Sequence, residues 1–225
     1  MRKLLLWCAA AGLVQLTTVA LANVVVVKSL GPSAKSYPPG KTLPESAKIN
    51  LQGGDVVTVI GPSSAQTLRG PGNFDAKQVA LSAAASQRGR FSALRAAEVG
   101  QNPGIWDIDV SAGGKVCVTN AAKLQVWRAD VEAPITVQIR SADGQSQEVT
   151  WAAGKALTAW PAALPVKTGA QYSVEWPDGG DSNKLQVVTI GPPPTDLVAA
   201  AQVLLENGCQ KQLDLLVESA SKGGK

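Results

Sequence analysis

The chain has 225 residues, of which 45% are hydrophobic and 17% charged, with a formal net charge of +4 and no histidine. This length allows one large domain or two small ones, with enough apolar material for a core. Without histidine, Ser-His-Asp and Cys-His catalytic sites, HExxH metalloprotease sites and His-ligated zinc or haem sites are excluded. Most hydrolytic chemistry is therefore excluded, and we expect neither a catalytic residue set, nor a cofactor, nor a metal.

The first 22 residues have the pattern of an export signal. Residues 1–3 form a short positive segment, residues 4–19 are mainly apolar, and residues 20–22 read Ala-Leu-Ala, an A-x-A cleavage signature. An uncleaved membrane anchor is the alternative, but the apolar run is shorter than the roughly 20 residues that a spanning helix needs. We expect cleavage after Ala22 and a periplasmic or secreted product without a stable membrane span.

Charge and composition change near residue 101. Residues 23–100 hold nine basic and four acidic side chains, whereas residues 101–225 hold ten and thirteen. A turn at Pro103-Gly104 follows the change. We expect a signal peptide at 1–22, a first module with a basic linker at 23–100, and a second module at 101–225. Ordinary variation of surface composition explains the charge difference equally well.

Removal of the signal leaves two cysteines, Cys117 and Cys209. An even number of cysteines in an oxidising compartment favours a disulfide, with two separate buried thiols as the alternative. The bond would attach a C-terminal helical segment to the second module.

Short β-branched runs separated by turns characterise the first module. Strands are predicted over 24–27, 47–51 and 55–60, and Gly-Pro-Ser turns stand at 31–33 and 61–63. Residues 36–40 read SYPPG, Gly54-Asp55 leads into the third strand, and residues 68–72 read LRGPG.

This order of turns and strands resembles the FecR-type periplasmic domain, in which a glycine-leucine pair precedes a Gly-Asp step into a strand and a later glycine closes a hairpin. The resemblance covers about residues 23–75. It implies a small β module without catalytic activity, used in signal sensing or protein contact in the cell envelope.

Residues 76–97 have a helix-forming composition interrupted by Arg-Gly-Arg, and Arg88, Arg90 and Arg95 form a small basic cluster there. A nucleic-acid site would need more basic residues interleaved with aromatic ones. We therefore interpret this cluster as a solvated linker or a contact for an acidic surface, and expect no nucleic acid as a partner.

The second module has seven alternating runs that predict strands at 105–110, 115–118, 124–128, 135–140, 146–151, 170–176 and 184–190. Residues 164–174 resemble the tyrosine corner of fibronectin type III and immunoglobulin-like sandwiches, with Tyr172 as the tyrosine whose hydroxyl bonds to upstream backbone. Two helices follow, the first capped at Thr195 or Asp196 and ended by Gly208. The predicted fold is mainly β: a small FecR-like module, an immunoglobulin-like sandwich and a C-terminal helical hairpin.

Two groups of residues in the second module are candidates for function. Asp107 and Asp109 lie two apart on a predicted strand and so face one side, where a polar outer face is a simpler interpretation than paired carboxylates or a cation site. Five tryptophans follow the signal, at positions 106, 127, 151, 160 and 176, and they supply either core or a row of exposed rings. Trp160 is the best candidate for an exposed ring, and Trp127 with Arg128 for a stacked pair.

These observations favour a non-enzymatic envelope protein that acts as a sensor or adaptor by binding another envelope protein. The alternative is binding of peptidoglycan or another polysaccharide through exposed tryptophans.

Overall fold

A computed structural model of the chain describes residues 23–81, 103–179 and 182–221. The fold is mainly β, with two helices at its C-terminal end, as the sequence predicts. Within the described ranges, no helix is long and apolar enough to cross a membrane. The candidate arginines Arg88, Arg90 and Arg95 lie outside the described residues.

The described part of the first module contains six strands, a 3-10 helix at Pro32–Lys35 and one short α-helix. Its bounds are β1 (Val24–Leu30), β2 (Thr42–Leu43), β3 (Lys48–Leu51), β4 (Val56–Ile60), β5 (Ala65–Arg69), β6 (Gly72–Asp75) and the helix Ala76–Leu81. Strands β2, β1, β4 and β5 form an antiparallel sheet in that order, and β3 pairs with β6. The three predicted strands correspond to β1, β3 and β4.

The four successive valines at the start of β1 are buried on both faces of the sheet. Val24 and Val26 pack into the core of the first module, whereas Val25 and Val27 pack against the C-terminal helices. Because successive side chains of a strand point to opposite faces, a continuous apolar run is what a strand covered on both sides requires.

The second module is a sandwich of two sheets. Its strands are β7 (Ile108–Asp109), β8 (Gly114–Val118), β9 (Gln125–Trp127), β10 (Ile135–Ser141), β11 (Ser146–Trp151), β12 (Leu157–Ala159), β13 (Gln171–Glu175) and β14 (Asn183–Thr189). One sheet has the order β11-β10-β13-β14-β8 and the other β12-β9-β7. Side chains from both sheets form one core. The strand predicted over 105–110 is shorter than expected, because Ile105 and Trp106 lie in a turn and pack against the helices.

The two C-terminal helices, Leu197–Asn207 and Gln210–Ser221, form a hairpin, called the clamp hairpin below. Asp196 caps the first helix by accepting a hydrogen bond from the Ala199 N–H (2.9 Å), and Gly208 ends it with φ of 70°. Both features agree with the prediction.

The clamp hairpin packs on both modules rather than on the sandwich alone. Its buried leucines, Leu204, Leu213 and Leu216 among them, share one apolar cluster with Val25 and Ile60 of the first module and with Ile105, Trp106 and Cys117 of the second. The hairpin therefore joins the two modules through apolar contacts.

Candidate functional site

The clamp hairpin is attached to the edge strand β8 at Cys117. The predicted disulfide joins Cys117 to Cys209, with 5.9 Å between the Cα atoms. Three residues further along the helix, Gln212 is buried and makes three hydrogen bonds. Its Oε1 accepts from the Cys117 N–H (2.7 Å), and its Nε2 donates to the carbonyls of Cys117 (2.8 Å) and Ile105 (2.6 Å). The amide thus takes the place of a neighbouring strand at the sheet edge.

A cavity of about 220 Å³ lies beside this attachment, and we call it the junction cavity. Asp107 and Asp109 both line it, as do Lys115 from β8 and Lys211 from the second helix of the clamp hairpin. The structure therefore brings together the two candidate carboxylates, as expected, although only Asp109 is in strand β7. The two lysines were not candidates, because nothing in the sequence relates position 211 to position 107.

The two carboxylates differ in their surroundings. Burial raises the pKa of Asp107 from its usual value to about 6, although the Gly104 N–H donates to Asp107 Oδ2 (2.9 Å) and opposes the rise. Asp109 accepts from both the N–H and the hydroxyl of Ser111. No group of three or more His, Cys, Asp or Glu side chains suited to a metal is found in the described part of the chain.

The interpretation of Trp160 as an exposed ring is wrong. Its side chain is 7% exposed, its Nε1 donates to the Leu164 carbonyl (2.7 Å), and its ring meets Tyr172 edge to face at 5.1 Å. Trp106, Trp127 and Trp151 are buried as well. A loop position next to proline suggested exposure, but the loop folds back over the sandwich core and covers the ring.

The interpretation of Trp127 and Arg128 as a stacked pair is also wrong. Arg128 is 3% exposed and lies over the Trp151 ring, with its Cζ 6.0 Å from the ring centroid. Its guanidinium donates to the carbonyls of Ala133, Ala152 and Lys155 at 2.7 to 3.0 Å. Arg128 therefore connects two loops in the interior instead of meeting a ligand.

The predicted backbone bond of Tyr172 is present. Its hydroxyl donates to the Pro165 carbonyl at 2.7 Å, seven residues upstream. Desolvation raises the pKa of this hydroxyl, which keeps it in the donating form.

The surface of the first module is basic. Its described part carries six cations, and all are exposed. Its acidic groups are largely engaged: Asp75 pairs with Lys48, and the buried Asp55 accepts from the Ser33 N–H (2.9 Å) and the Gln52 N–H (2.6 Å). The exposed cations that form no ion pair with any described residue include Lys35, Lys41, Arg69 and Lys77.

Comparison with known proteins gives no relative. No protein-family model, no curated protein and no solved structure matches the chain.

Proposed function

We propose that this chain is an exported, non-catalytic protein of the cell envelope that acts as an adaptor by binding an acidic partner protein through its first module. The observation that carries the proposal is the set of exposed cations Lys35, Lys41, Arg69 and Lys77, which have no ion pair among the described residues. An excess of exposed positive charge accelerates and selects encounters with a surface of opposite sign.

The contact between the two modules supports this proposal. The two modules differ in their balance of basic and acidic residues, but the clamp hairpin joins them through an apolar cluster. Two ion pairs are found among the described residues. Lys48 pairs with Asp75 inside the first module, and Arg140 pairs with Glu175 inside the second. No ion pair among the described residues therefore connects the cations of the first module to the second module.

Other features agree with a binding protein. The turn glycines of residues 23–75 resemble the FecR-type domain, and residues 164–174 with the Tyr172 bond resemble the tyrosine corner of immunoglobulin-like domains. Such modules are commonly used for binding. Binding of a polysaccharide would require a row of exposed tryptophan rings. Four of the five candidate tryptophans are buried and only Trp176 is partly exposed, so this alternative is disfavoured.

The experiment compares partner capture by three full-length proteins after crosslinking in the producing cells. The first is wild type, the second carries Lys35→Glu, Lys41→Glu, Arg69→Glu and Lys77→Glu, and the third is a matched control. The control reverses four exposed lysines of the sandwich: Lys123→Glu, Lys155→Glu, Lys167→Glu and Lys184→Glu.

We expect one acidic partner to be captured by wild type and by the control but not by the first-module variant. Equal capture by all three proteins would contradict the proposal. If the protein turns over a peptidoglycan or ester substrate, and Asp107→Asn or Asp109→Asn abolishes that activity, the protein is an enzyme and the adaptor proposal is wrong. The intact mass of the exported protein tests the export step, and we expect an N-terminus at Asn23.

A further inference from the structure

The junction cavity contains four charged groups of both signs. Asp107 and Asp109 are half-buried, whereas Lys115 and Lys211 are exposed at its rim. None of the four forms an ion pair with a described residue. Each carboxylate accepts hydrogen bonds from its own loop, at Gly104 or Ser111, but has no cation as a partner. Because removing charges from water is costly unless they gain partners of opposite sign, a cationic ligand group would be favourable there.

The remaining wall is largely apolar. Trp127 and Leu215 line the cavity, together with Val116 and Pro103. Trp127 is 5% exposed, and its Nε1 donor has no hydrogen-bond partner in the described part of the structure. The Nε1 donors of Trp106 and Trp151 are also without a partner among the described residues, so the cavity is defined by its charged groups and its apolar wall and not by this donor.

The size of the cavity limits the ligand. Sites for drug-sized molecules usually have roughly 300 to 1,000 Å³, and this cavity has about 220 Å³. A polysaccharide chain or a nucleotide is too large to be enclosed, whereas a single amino acid is a suitable size. Two ammonium groups at the rim exclude a divalent cation as the preferred occupant, because they repel it.

We propose that the junction cavity binds a free amino acid with an apolar side chain. The ligand ammonium group would contact Asp107 and Asp109, its carboxylate would contact Lys115 and Lys211, and its side chain would pack against Trp127 and Leu215. This site is separate from the cations of the first module and does not depend on the proposed adaptor function.

Binding at this site depends on pH. The charged groups that line the cavity with Asp107 are Asp109 from β7, Lys115 from β8 and Lys211 from the clamp hairpin, and the Gly104 N–H donates to Asp107. With a pKa of about 6, Asp107 loses its charge as the pH falls below that value. Because the ligand ammonium needs the ionised carboxylate, affinity falls by up to about tenfold per pH unit below pH 6.

The test titrates the mature full-length protein with leucine and with two analogues that each lack one charge. Isoamylamine lacks the carboxylate, and 4-methylpentanoate lacks the ammonium group. Binding is followed by calorimetry and by tryptophan fluorescence, to which Trp127 contributes. We expect saturable binding of leucine at pH 7.5 and at least tenfold weaker binding of each analogue.

Two variants assign the contacts. Asp107→Asn is expected to weaken leucine binding at least tenfold and to abolish its dependence on pH near 6. Lys211→Gln is expected to weaken leucine binding several-fold, because Lys115 still contacts the carboxylate, and to leave the binding of isoamylamine unchanged. The controls Glu148→Gln and Lys155→Gln change exposed residues away from the cavity and should leave the affinity unchanged.

Three results would overturn the proposal. These are the absence of saturable binding by leucine, valine and phenylalanine, equal affinity for leucine and a one-charge analogue, or unchanged affinity in both variants. Lys211 is exposed on the helix, so Lys211→Gln remains informative even if Asp107→Asn impairs folding.

Discussion

Replacement of Gln212 by leucine tests how the clamp hairpin is held. The substitution keeps a side chain of similar size but removes three buried hydrogen bonds of 2.6 to 2.8 Å. It removes the partner of the Cys117 N–H and carbonyl at the edge of β8 and of the Ile105 carbonyl in the preceding turn. Each buried polar group left unpaired lowers the free energy of unfolding by about 1–3 kcal/mol. Burial of the leucine side chain raises it by about 2 kcal/mol. The free energy of unfolding then falls by about 1–7 kcal/mol, and we expect a decrease of about 4 kcal/mol.

The assay is urea unfolding of the oxidised protein, followed by tryptophan fluorescence. The matched control is Gln210→Leu on the same helix, where the side chain is exposed and bonds only to Asp214. This control should change the free energy of unfolding by no more than about 0.5 kcal/mol. If Gln212→Leu is as stable as Gln210→Leu, the amide does not hold the hairpin on β8, and the reasoning is refuted.

Three further predictions concern other parts of the fold. Replacing Cys117 and Cys209 by serine opens a loop of 92 residues. On the chain-entropy model this should lower the free energy of unfolding by about 4–5 kcal/mol. An unchanged free energy of unfolding in urea would contradict this prediction. Gly70→Ala should lower the free energy of unfolding by more than about 2 kcal/mol, because its Cβ would lie 1.9 Å from the Gln52 carbonyl oxygen. Gly53→Ala is the control, because no atom lies within 4 Å of its Cβ, and it should leave the stability unchanged. Equal melting temperatures of the two variants would contradict this prediction. For Asp55, burial raises the pKa but hydrogen bonds from backbone and side chain outweigh it and hold the pKa below its usual value. The carboxylate therefore stabilises the fold above the unfolded pKa of about 3.9, and the advantage of wild type over Asp55→Asn should close as the pH falls through the folded-state pKa; a constant difference in acid unfolding would contradict it.

Local patterns predicted much of the fold correctly. The valine run of β1, the Asp196 cap, the Gly208 end and the Tyr172 bond each depend on residues close together in the chain. Turn residues and periodicity carry this information, so it can be read without the tertiary structure. The disulfide could be predicted because only two cysteines, Cys117 and Cys209, follow residue 22.

Contacts between distant segments could not be predicted in the same way. The sequence predicts an exposed Trp160, but its loop folds over the ring and the Leu164 carbonyl accepts from its Nε1. Arg128 is buried because its guanidinium donates to carbonyls up to 27 residues away in the chain. The three bonds of Gln212 reach 95 and 107 residues back. A glutamine in a helix has no sequence signal that distinguishes this role from an exposed position, and the same holds for Lys211 at the junction cavity.

The most direct test of the proposed function is the affinity of the mature protein for its captured partner at two salt concentrations. Exposed charges are screened beyond about 10 Å at 0.1 M salt and about 3 Å at 1 M. We predict that wild type binds at least tenfold more weakly at the higher concentration. The variant with reversed charges at Lys35, Lys41, Arg69 and Lys77 should bind weakly at both. An affinity that is independent of salt and equal in the two proteins would contradict the proposal that the first module binds an acidic partner.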